Sequence, residues 1–60
     1  MASDETRRIL KVFGVAVTNL EEAIDRKAAF GDIMKFDAEL ADRTREVISL
    51  VDRLRSRRIA

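Results

Sequence analysis

An all-α fold, an antiparallel two-helix hairpin that dimerises into a four-helix bundle, is predicted from three observations. There is no proline and there are only two glycines among 60 residues, with Ala, Leu, Ile, Glu, Asp and Arg in excess, a composition of strong helix formers. Two apolar seams run at spacings of three and four, as a packed helix requires. A single glycine-aspartate step, Gly31 and Asp32, punctuates the interior. The whole chain, residues 1–60, is read as one domain.

Helix 1 is expected over about 4–30. Ser3 suits the cap, because its hydroxyl can accept from a free amide, and Asp4 and Glu5 sit against the positive end of the helix dipole. The seam is Leu10, Phe13, Val17, Leu20 and Ile24, with Ile9, Ala16, Ala23 and Phe30 as a flanking row at intervals of seven. Gly14 lies inside this helix, as a tolerated glycine or as a point of close helix approach.

The turn is expected at 31–32, where Gly31 can take a left-handed conformation and Asp32 can cap the second helix; Asp37 as the cap would extend the connection to residue 36. Helix 2 is then expected over about 33–58. Its seam is Leu40, Thr44, Val47, Val51 and Leu54, and its last turns carry Arg53, Arg55, Arg57 and Arg58. Folding back at Asp32 pairs residues whose numbers sum to about 64, which matches Leu10 with Leu54, Phe13 with Val51 and Val17 with Val47. A continuous rod would leave Lys27 and Asp37 in core positions without a facing partner, so a hairpin is preferred.

A chain of this size buries only about 60% of its unfolded surface and is marginal alone. It has no cysteine for a disulfide and no histidine for the usual metal staples. Helix packing and oligomerisation are left to stabilise it. Val12, Val15, Phe36 and Leu50, outside the matched layers, are the residues expected at an oligomer or partner interface. A homodimer is the expected assembly, with a larger symmetric one second.

The chemistry-bearing residues are few. Without Cys or His, the serines have no base to activate them, so no catalytic residue, metal site or cofactor is expected and the chain is read as not an enzyme. Twelve basic residues against eleven acidic ones nearly cancel, so a polyanion partner is not demanded by bulk charge. Local clustering is the exception: Arg53, Arg55, Arg57 and Arg58, joined by Arg7 and Arg8 at the same end of a hairpin, form a candidate nucleic-acid-binding pole. Asp4, Glu5 and Asp52 at that end weigh against it. No run of apolar residues approaches the ~20 needed to span a bilayer, so a cytoplasmic location is expected. The functional expectation is a small interaction protein, an adaptor, regulatory or assembly subunit that binds itself and another protein through helix faces; the alternative is a nucleic-acid-binding regulator using the arginine pole.

Overall fold

The structure is a computed structural model that describes residues 2–59, and side chains through residue 58. Two helices, α1 (Asp4–Asp25) and α2 (Phe30–Ile59), fold back on one another as a hairpin. Among the described residues there is no strand.

The start of α1 is as the sequence dictates. Ser3 is extended, its Oγ accepts from the Thr6 amide at 3.1 Å, and its carbonyl accepts the first helical bond from Arg7. Asp4 and Glu5 occupy the first turn, where the dipole favours them.

The turn comes earlier than expected, at 26–29, and does not use Gly31. After Asp25 the chain closes with two backbone bonds, Lys27 N–H to the Ile24 carbonyl at 3.1 Å and Ala28 N–H to the Ala23 carbonyl at 2.9 Å. This is the Schellman pattern, in which the residue past the cap takes the left-handed conformation. Lys27 does so, at φ 55. The physical reason lies in where a longer helix would have sent it: four residues after Ala23, Lys27 would return to the buried row and drive its ammonium into the helix seam. Stopping at Asp25 leaves Lys27 exposed.

α2 therefore begins at Phe30 rather than residue 33. The Ala29 carbonyl accepts from the amides of Asp32 and Ile33, which makes Ala29 the cap and Asp32 a first-turn residue whose charge complements the dipole. Gly31 is an ordinary helical residue with no positive φ. The arms are consequently unequal, with 22 residues in α1 and 30 in α2, and the register moves. Glu5 meets Arg53 at 2.9 Å, whereas folding back at Asp32 pairs it with residue 59.

The buried row also differs from the expected one by a single position. Ile9, Ala16 and Ala23 are the buried residues of α1, joined by Leu50 of α2. Leu10, Val17 and Ile24, expected in the seam, are 40% to 54% exposed. On α2 the inward residues run Ile33, Phe36, Leu40, Arg43, Val47 and Leu50, so that Arg43 and Leu50 stand in place of the expected Thr44 and Val51. The cause is the breadth of the apolar arc on α1. At about 100° per residue it extends from Val15 round to Leu10, and its midpoint is the row of Ile9, Ala16 and Ala23. Two alanines at that midpoint bring the helix axes close.

Arg43 is the one charged side chain on the inward row. It is half-buried and paired with Glu46 on its own helix, while its Nε has no hydrogen-bond partner. Thr44, beside the seam, donates its hydroxyl proton to the Leu40 carbonyl at 2.8 Å, which satisfies it without a partner across the interface.

Candidate docking face

Both helices are right-handed and they run antiparallel, so the residue one after each inward position emerges on the same side of the hairpin. That side carries Leu10, Val17 and Ile24 from α1, and Met34, Asp37, Ala41, Thr44, Ile48 and Val51 from α2. The residue one before each inward position emerges on the opposite side. There stand Arg8, Val15 and Glu22, facing Asp32, Lys35, Glu39, Asp42, Glu46 and Ser49. One broad face is apolar and the other is charged.

Surface hollows follow the same division. On the apolar face a shallow depression of about 280 Å³ is walled by Val17, Leu20, Glu21, Ile24, Asp25 and Leu40. On the charged face a second is walled by Arg26, Asp32, Lys35, Phe36 and Glu39. The Arg26 guanidinium lies 6.0 Å from the centre of the Phe36 ring, at the outer limit of a cation–π contact.

A monomer with this surface is short of burial. It has a single layer of two helices, 47 Å long and 13 Å thick between extreme Cα atoms, whereas a domain core normally needs two packed layers. Its accessible surface is 4850 Å² for 6.8 kDa; compact monomers of that mass average about 4000 Å². The surplus resembles the roughly 800 Å² that each partner contributes to a standard protein interface.

The residues expected at an interface are distributed differently. Leu50 does not face outward: it is 7% exposed and belongs to the helix–helix core, because Val51 rather than Leu50 falls one position past the seam. Phe36 is half-buried on the inward row of α2, and Val12 is half-buried beside the inward row of α1. Val15 is 52% exposed, but it is an isolated apolar residue among the charges of the opposite face. The open apolar surface instead uses Leu10, Val17, Ile24, Ile48 and Val51. The spacing of these residues is plain in the sequence, but it does not tell the inward side of the helix from the outward one.

The arginine end is partly neutralised. Arg53 is paired with Glu5 at 2.9 Å, and Arg55 and Arg7 lie 4.0 Å from Asp52 and Asp4. Arg57 and Arg58 line an open hollow with Ala2, Ser3, Thr6 and Leu54. Among the described residues no aromatic side chain stands there to stack on a base.

Among the described residues no group of three or more carboxylates gathers as a metal-binding cluster. None of the described helices is long and apolar enough to cross a membrane. Neither the family models, nor the curated proteins, nor the solved structures contain a match to this chain.

Proposed function

We propose that this chain is a non-enzymatic interaction module that works as a homodimer, two hairpins closing their apolar faces on each other as a four-helix bundle and serving as an assembly or regulatory subunit. The observation that carries this reading is the division of the hairpin into one apolar and one charged face. The apolar face holds six large side chains, Leu10, Val17, Ile24, Met34, Ile48 and Val51, each at least 36% exposed. Continuous apolar surface of that kind marks an interface in a water-borne protein, and four-helix bundles bury it between facing pairs. A second copy supplies a matching face because both hairpins carry the same surface.

The charged face stays in water in such a dimer and is the surface left for other proteins. Nucleic-acid binding by the arginine end has less support, since Glu5, Asp52 and Asp4 already stand beside three of its cations.

Sedimentation equilibrium tests the reading. The wild-type chain is expected to weigh twice 6.8 kDa at micromolar concentration. Ile48→Asp is expected to reduce that to the single-chain mass by placing an unpaired charge in the interface. A wild-type chain that is folded and monomeric at 100 μM, on the order of a weak complex's Kd, would rule it out.

A further inference from the structure

We infer that the second copy docks with its turn at the opposite end, around a twofold axis that passes α1 at Gly14 and α2 level with Glu46; this orientation rests on the dimer proposed above. Charges that interrupt the apolar face decide between the symmetric arrangements. Along α1 the row of Leu10, Val17 and Ile24 has Arg7, Gly14 and Glu21 on its outer edge, away from α2, and along α2 the row reads Asp37, Ala41, Thr44, Ile48, Val51 and Arg55. Each row holds one cation and one anion on either side of an apolar stretch. In both rows the cation lies towards the open end of the hairpin and the anion towards the turn.

The levels coincide between the helices. Glu5 against Arg53, and Leu20 beside Leu40 in one hollow, place Gly14 level with residues 44 to 46 of α2. Arg7 and Glu21 are each seven residues from Gly14, and Asp37 and Arg55 are each nine from Glu46. A twofold axis at that level, perpendicular to the helices, therefore lays α1 antiparallel on α1 and α2 antiparallel on α2. Arg7 of each copy then faces Glu21 of the other, and Asp37 faces Arg55. All four contacts are between opposite charges.

The other symmetric arrangement brings the two turns together and sets α1 of one copy against α2 of the other. Glu21 then faces Asp37, and Arg7 faces Arg55. All four contacts are between like charges, which costs specificity as well as energy. Asp4 and Asp52 lower the net charge near Arg7 and Arg55, but both contacts are 4.0 Å long and exposed, and such pairs are weak enough to leave the guanidinium groups free to turn towards a second copy.

Gly14 has a place in the first arrangement. A Cβ there would meet nothing within 4 Å inside the hairpin, so the hairpin itself gives no packing reason for a residue that costs a helix interior about 1 kcal/mol relative to alanine. At the crossing of two α1 helices, a missing side chain lets them approach. Leu10 of the second copy then reaches the level of the hollow between Val17, Leu20, Ile24 and Leu40.

Two measurements on the full chain test the orientation. A nitroxide attached to Ala29→Cys, the sole thiol in the chain, sits at the turn. At 1.5 Å per residue from Gly14, opposed turns put two labels about 45 Å apart, whereas turns at the same end put them within about 20 Å. Arg55→Glu is expected to weaken dimerisation roughly tenfold, because it faces Asp37 twice over in the dimer, and Asp37→Arg in the same chain is expected to restore it. Labels within about 20 Å together with a tighter Arg55→Glu dimer would overturn the orientation while leaving the dimer standing. A wild-type chain that is monomeric would instead remove the dimer itself.

Discussion

Two rows of α1 one residue apart, Ile9–Ala16–Ala23 and Leu10–Val17–Ile24, have opposite fates. The row with two alanines is the buried one, and the row made wholly of large side chains is left half-exposed. The difference shows that in a two-helix hairpin the position of a row within the apolar arc decides what packs inward, not its bulk. Small residues at the middle of the arc let the backbones approach. The larger residues beside them are then displaced to one face, where α2 adds Ile48 and Val51.

That contrast can be broken at the buried row first. Leu50→Asp is expected to have the largest effect, because it combines the ~2–5 kcal/mol lost when a buried leucine is removed with the cost of an unpaired charge. The helical circular-dichroism signal should collapse at room temperature. Retention of full helicity and an unchanged melting temperature would mean that Leu50 is not in the core.

On the open row, Val17→Asp is expected to act on assembly. The concentration dependence of the melting temperature that a dimer shows should disappear, and the mass should fall to that of one chain. If Val17→Asp instead matched Leu50→Asp in abolishing helicity at every concentration tested, the two rows would not be distinct.

The turn gives a smaller and opposite effect. Lys27 holds a left-handed conformation that costs an ordinary residue roughly 1–2 kcal/mol, so Lys27→Gly is expected to stabilise the hairpin by about 1 kcal/mol, read as a higher urea midpoint at unchanged slope. A destabilised variant would show that the lysine side chain contributes a contact that the turn needs. The smallest effect is expected on the charged face: Val15→Asp should change stability by less than about 0.5 kcal/mol and leave the mass alone. A loss of mass there would move the interface to the other face.

Much of the fold is legible in the sequence. Ser3 with its acidic neighbours marks where α1 begins, and periods of three and four identify both helices. The turn is misplaced by sequence reasoning because glycine is the strongest local sign of a helix end, and here tertiary placement outweighs it: Lys27 would have pointed into the seam, so a lysine takes the left-handed position while Gly31 stays helical. The roll of the helices is misjudged because Leu10, Phe13, Val17, Leu20 and Ile24 form the bulkiest row. A periodic pattern locates an apolar arc well, but does not say which part of a broad arc meets the neighbour. With α1 and α2 rolled in the same sense, Leu50 lies inward and the open apolar surface lies on the opposite face from Val15. The rule that the residue after each inward position shares one face requires the seam itself, and so the grouping of Leu10, Val17 and Ile24 with Ile48 and Val51 on one open face is read only from the structure.

The central claim is that the face of Leu10, Val17, Ile24 and Ile48 is covered in solution by a second copy while the face of Val15 is not. Methyl NMR with a soluble paramagnetic agent measures this directly at each side chain. The methyl signals of Leu10, Val17, Ile24 and Ile48 are predicted to survive the agent while those of Val15 are broadened away. Equal broadening of both sets, with the helices intact, would contradict it.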